Sequence, residues 1–381
     1  MKKNIKKNIK KNIKENQNSK VKNLSNNKNN ASKEINLENL MTISKDCYAN
    51  ISLIDNSFCI FISIDKIFYL VYSNVSYSII FYNLIDFQKM NEIKNAHKDN
   101  RDETTDNRIY FRHHFDKNNE RDLILSILSG DNNLKIWNVQ NLECLLNINN
   151  IYRDCILSSA CFINFSNNIN IVTADKSRAF QEPIKVFNFK GKLLLDLRSS
   201  IYSTIFIDEY YDNKKKVNYI IAGCQRFVRV YNYNKKELYN KYNDMDDEFF
   251  YHYSVIINET KDYIKMIEID EIGTIRIWNF HSAQLLNKIK NDKAQLLDKI
   301  EGKFPIYGFC QWDNEHFFYG YEDGLMQIIF DFNKIKDKSQ KKKDGKKFIR
   351  MKKIIHPKYG DCLITQEYLN GYSINLWVSK K

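Results

Sequence analysis

From residue 47 onward, apolar and polar positions alternate in short runs separated by polar turns. One run recurs, an alternating apolar segment that ends in an aromatic and is mostly followed by Asn or Asp. It reads "SIIFYNL" at Tyr82, "LKIWNV" at Trp137, "IKVFNF" at Phe187 and "VRVYNY" at Tyr231. It continues as "IRIWNF" at Trp278, "QIIFDF" at Phe330 and "INLWVS" at Trp377. Alternation with a period of two predicts strands. The aromatics follow one another at 55, 50, 44, 47, 52 and 47 residues, the mark of a repeat architecture.

Each unit holds more than this one run. A second apolar run precedes it across a turn, as in "DLILSILSGDNNLKIWNV" and "NYIIAGCQRFVRVYNY". A short run follows, such as "NLECLLNI" or "KGKLLLDL", and another lies upstream, such as "SSACFINF" or "FPIYGFCQW". Four strands joined by hairpin-length turns are therefore predicted per unit. Through "SGDNNLKIWN" and "YEDGLMQIIFD", residues 47–381 resemble the WD40-repeat family. The resemblance implies an all-β, seven-bladed WD40-like β-propeller with one four-stranded sheet per blade. None of the seven elements ends in Trp-Asp, and the Gly-His pair of the family is matched at best by Ala96-His97. The Asp–His–Ser–Trp hydrogen-bond set of that family is thus expected to be mostly missing, with cohesion left to apolar packing. Two packed β-sandwich domains are the alternative architecture, but they do not account for a register of seven; a kelch-type propeller would bring paired glycines, which are absent.

The seventh unit ends at "GYSINLWVSKK", one strand short. The first unit carries one apolar run too many, so "YANISLI", residues 48–54, is expected to complete the last blade and close the ring. That leaves 1–46 as a tail. It opens "MKKNIKKNIKKNIKEN" and offers only isolated Ile and Leu, a composition that predicts a disordered Lys/Asn-rich segment.

Charge changes the picture only locally. Residues 1–45 carry 12 Lys against 3 Glu, and residues 334–353 carry 10 Lys and Arg350 against Asp337 and Asp344. Each segment is +9 while the whole chain is +13, so the remainder is mildly acidic. Basicity therefore belongs to a tail and to one expected loop, with Lys341, Lys342, Lys343, Lys346 and Lys347 at its centre. Eight cysteines are scattered without a C-x-x-C pair, and most lie in apolar runs where a reduced thiol acts as a small hydrophobe. No stretch reads as a signal peptide or membrane span. These features point to the cytoplasm or nucleus, with free thiols.

Chemistry is hard to find. Neither G-x-x-x-x-G-K-[ST] nor G-x-G-x-x-G occurs, and there is no G-x-S-x-G elbow. His113 and His114 are adjacent, so on a strand they face opposite ways and cannot share a metal. No metal, cofactor or catalytic residue is expected. Binding is expected instead at three departures from the repeat: 96–108, 174–183 with Arg178 and Phe180, and 243–253 with Asp246 and Phe249. Arg226, in "GCQRFVRV", is expected on the same side. An Arg beside an aromatic suits a binding hot spot.

The functional expectation is a non-enzymatic scaffold that docks partner proteins on its loop faces, as a subunit of a larger complex. The alternative is a nucleic-acid-associated propeller, in RNA or ribosome assembly, using the tail and the 334–353 segment. A catalytic propeller is the third reading; it would need polar residues clustered at the central channel.

Overall fold

The structure is a computed structural model. It describes residues 35–44, 57–97, 109–128, 132–152, 157–175, 184–197, 204–224, 227–243, 252–259, 263–270, 274–289, 308–313, 316–321, 324–331, 334–342, 347–368 and 372–380. Within them lie 28 strands and no helix, arranged as seven four-stranded antiparallel-laddered sheets.

Strand β1 is Asn36–Ser44. Blade one is β2 (Phe58–Ile62), β3 (Phe68–Ser73), β4 (Ile79–Asn83) and β5 (Gln88–Ile93). Blade two is β6 (Ile109–Asp116), β7 (Arg121–Leu128), β8 (Asn133–Asn138) and β9 (Cys144–Ile148). Blade three is β10 (Leu157–Phe165), β11 (Asn168–Asp175), β12 (Ile184–Asn188) and β13 (Leu193–Asp196). Blade four is β14 (Thr204–Asp212), β15 (Val217–Cys224), β16 (Val228–Asn232) and β17 (Glu237–Tyr242). Blade five is β18 (His252–Glu259), β19 (Ile264–Asp270), β20 (Ile275–Asn279) and β21 (Leu285–Ile289). Blade six is β22 (Gly308–Gln311), β23 (His316–Tyr321), β24 (Gly324–Asp331) and β25 (Lys334–Lys342). Blade seven is β26 (Lys347–His356), β27 (Gly360–Tyr368) and β28 (Tyr372–Lys380), with β1 as its fourth strand.

The recurring aromatic has a structural cause. In each blade it lies on the third strand, and in blades one to five it packs toward the preceding blade. Tyr82 joins Ile364 and Leu376, Trp137 joins Phe81, Phe187 joins Leu125, Tyr231 joins Val172, and Trp278 joins Val230. The core is thus a series of layers between blades, and each buried aromatic contributes about 3 kcal/mol of apolar transfer.

The Asn after the aromatic also has a cause. A register shift falls immediately before the aromatic in blades one to six, the signature of a β-bulge. The Asn side chain then accepts a main-chain N–H across the turn: Asn83 from Ile85 at 2.9 Å, Asn138 from Gln140 at 2.9 Å, and Asn188 from Lys190 at 3.0 Å. Asn279 accepts from His281 in the same way at 3.0 Å. These Asx turns close the hairpins. Gly191 supplies the left-handed residue of one such turn, at φ 76. Trp377 is followed by Val378 instead, because its blade has no such hairpin to make.

Closure by an N-terminal strand holds, but the strand is β1 and not residues 48–54, which lie outside the described residues. The expected start of the propeller at 47 is therefore too late. Only one side of an outer strand meets the core: Met41 and Ile43 pack on the blade-seven layer, while Thr42 Oγ1 donates to Asn375 Oδ1 at 2.7 Å. Polar "NLENLMTIS" meets that one-sided demand without reading as an apolar run. The tail expected up to residue 46 otherwise lies outside the described residues. Blade seven also approaches blade six closely, since a Cβ on Gly320 would stand 2.1 Å from the Phe348 carbonyl oxygen.

Candidate functional site

In an antiparallel blade, the turn from second to third strand and the link from fourth strand to the next blade leave at one face. Arg178 and Phe180 lie between β11 and β12, Arg226 between β15 and β16, and Asp246 and Phe249 between β17 and β18. The strand ends that these segments join therefore share a face, while the five residues themselves lie outside the described residues.

The basic segment requires a correction. It is not one loop: Lys341 and Lys342 belong to β25, Lys347 opens β26 opposite Tyr368, and only 343–346, with Lys343 and Lys346, link the two blades. That link joins a fourth strand to the next blade, so it leaves at the same face as the other connections. "KIKDKSQKK" has little strand propensity, yet the ladder with β24 needs only its backbone.

Blade two retains more of the polar set than the sequence suggested. His97 Nε2 lies 2.8 Å from Ser126 Oγ, and Trp137 Nε1 donates to that oxygen at 2.9 Å. Thr173 and Thr365 hold the matching register positions. Tyr152 Oη meets Thr173 Oγ1 at 3.0 Å, and Trp377 Nε1 donates to Thr365 Oγ1 at 2.7 Å. In blade five the position is Glu268, opposite Arg276, whose Nη1 reaches Asp270 Oδ2 at 2.9 Å in a fully buried cluster. Burial, with Lys135 adding, pushes the His97 imidazole down to about 3, so the ring is neutral in this network.

The inner strands carry a second concentration of polar groups, which the sequence reading passed over. Arg112 on β6 reaches past blade three, donating from Nη2 to the Ile207 carbonyl at 3.1 Å and standing 3.6 Å from Asp208 Oδ2 on β14. Lys352 on β26 occupies the place in its blade that Arg112 holds in blade two. Between their blades lies Cys59 on β2, whose thiol burial pushes up to about 12 against the opposing charges of Lys352 and Arg112. A cavity of about 470 Å³ is walled by β2, β6, β18, β22 and β26, with Arg112, Arg350 and Lys352 among its lining. Charges inside the runs "IYFRHHFD" and "FIRMKKIIH" were the available signal. His113 stacks on Phe61 at 3.8 Å and donates from Nε2 to Asp122 Oδ1, 2.7 Å away. His114 stacks on Phe162 from the other side of the strand, as their adjacency requires. Lost hydration holds the His113 imidazole below its ordinary value, with Asp122 opposing. Among the described residues no group of three His, Cys, Asp or Glu is placed to hold a metal ion.

A second concavity, about 490 Å³, opens between blades two, three and four, lined by His114, Asn164, Phe165, Glu209 and Tyr211. Among the described residues no helix is long and apolar enough to cross a membrane.

No family model and no curated protein matches the chain. Its fold is similar to that of solved propellers. The Cps50 (Swd1) β-propeller domain of Myceliophteria thermophila is 11% identical with a TM-score of 0.61, over 90% of this chain and 100% of that one. Raptor of Chaetomium thermophilum is 12% identical with a TM-score of 0.59, over 88% of this chain. This chain spans 30% of Raptor's length. At these identities the likeness is one of fold.

Proposed function

We propose that the chain is a non-enzymatic, WD40-like platform that docks partner proteins on the connections of one propeller face, as a subunit of a larger complex. The observation that carries this reading is the common face. Connections 176–183, 225–226, 244–251 and 343–346 all leave strand ends on the same side of a ring whose blades pack through apolar layers. A frame of that kind presents connections at defined positions before a partner arrives, which lowers the ordering cost of binding. Arg178, Phe180, Arg226, Asp246 and Phe249 are the proposed contacts. The fold likeness to Swd1 and Raptor supports a propeller of this type and leaves the partner to experiment. Buried reduced thiols at Cys59, Cys161, Cys224 and Cys362 support a cytoplasmic or nuclear setting.

A second reading is favoured by the +9 charge of 334–353, which would contact nucleic-acid phosphate together with the tail. Affinity purification of the full chain and of a variant lacking residues 1–34, each with and without nuclease, separates the two. The variant keeps β1 and hence the closed ring. The platform reading expects one set of proteins in all four samples. Loss of that set with nuclease, or with the tail, overturns it in favour of phosphate contacts.

A further inference from the structure

The channel cavity is more than a gap between strands. Arg350 is 4% exposed, Arg112 is half-buried, and Lys352 is exposed toward the same space. No carboxylate stands among the cavity's described lining residues. Lys353, one residue on, shows the contrast: its Nζ donates to the Trp312 carbonyl at 2.8 Å and pairs with Asp361 at 3.3 Å. Among the described residues no carboxylate pairs with Lys352. Asp208 offsets Arg112, so among the described lining residues the positive charge that no carboxylate balances is that of Lys352. Low-dielectric walls around charges of one sign focus their field and raise the local concentration of the opposite charge.

We infer that this cavity binds a small phosphorylated molecule, held by Lys352, Arg112 and Arg350 between the inner strands. The volume falls in the range of small-molecule sites, roughly 300–1,000 Å³. Phe58, Ile60 and Phe309 line it beside the cations, giving an apolar wall for a carbon skeleton and charged donors for phosphate oxygens. Guanidinium and ammonium groups together suit such a ligand, the first by paired donors and the second as a point charge. Each inner strand is also the edge of its sheet, so its outer row of main-chain groups faces the axis and adds donors. This inference is independent of partner docking on the connections.

The test uses the purified full chain and isothermal titration with inorganic pyrophosphate and ribose 5-phosphate, with ribose as the uncharged comparator. One-site binding of both phosphates and none of ribose is expected. Lys352→Met should weaken pyrophosphate binding at least tenfold and Lys352→Glu should abolish it. Lys235→Met, which removes the same charge from the outer turn beside Glu237, should leave it unchanged. Lys352 is exposed, so the ligand-free melting temperature of its Met variant should match that of the parent; Lys352→Arg, retaining affinity within a few fold, guards against a folding defect. No binding by the parent chain overturns the inference. So does equal binding by the parent and Lys352→Met, which would assign the anion to the basic segments.

Discussion

Replacing Ser126 by Ala removes one oxygen and leaves two buried groups without their partner. Ser126 is 0% exposed, His97 2% and Trp137 7%, so water does not replace the lost hydroxyl. The indole N–H loses its acceptor at 2.9 Å and the imidazole Nε2 its contact at 2.8 Å. Each buried polar group left unmatched costs about 1–3 kcal/mol, which gives about 2–6 kcal/mol for Ser126→Ala. At about 2 °C per kcal/mol for a chain of this size, the melting temperature should fall by about 4–12 °C. A double-mutant cycle sharpens the test. With Trp137→Phe in place, Ser126 serves only His97, so the second substitution should cost about half as much. The coupling energy should then be about 1–3 kcal/mol. A fall below about 2 °C, or strict additivity in the cycle, would refute the argument that this triad, and not apolar packing alone, joins blades one and two.

Acid should weaken the fold through His97. Its pKa is about 3 in the folded chain and near 6.5 when unfolded, so between those values the unfolded state binds the extra proton. Stability from this group is complete above pH 6.5 and is lost as pH falls toward 3, at up to about 1.4 kcal/mol per unit. His97→Asn should flatten that part of a melting-temperature profile; an unchanged slope contradicts the assignment. Arg276→Met should destabilise by about 3–5 kcal/mol in denaturant titration, because it removes the buried cation that faces the Glu268 and Asp270 carboxylates. A loss below about 1 kcal/mol would show that those groups find other compensation. Deleting residues 1–34 should leave the melting temperature within about 2 °C, whereas deleting 1–44 removes β1, exposes the β28 edge, and should lower stability and promote aggregation in light scattering. Equal behaviour of the two deletions contradicts closure by β1.

The number of blades was legible because each aromatic sits at the same place on a third strand, and in blades one to five that place lies in an inter-blade layer, so core packing itself imposes the period. The Asn after the aromatic was legible as a pattern, and its reason became visible only in the turns that Asn83, Asn138, Asn188 and Asn279 close. Val378 breaks the pattern where no hairpin follows. The closing strand was misplaced because hydrophobicity favours "YANISLI" over "NLENLMTIS", while an outer strand needs apolar contact on one side only, through Met41 and Ile43. The same bias turned "KIKDKSQKK" into a loop. His97, Ser126 and Trp137 are 29 and 11 residues apart, so their meeting depends on blade register, which a single residue pattern does not display. The sequence reading does not single out Arg112 and counts Lys352 within the expected 334–353 loop, because only the ring brings them to one cavity. The proposed contact residues were legible only as positions within connections, and topology adds the shared face.

The central proposal, docking on that face, is tested most directly by hydrogen–deuterium exchange on the chain alone and in its co-purified complex. Protection gained at 96–108, 174–183 and 243–253 is the predicted result. Protection confined to residues 1–34 and 334–353 would contradict it and transfer the functional site to the basic segments.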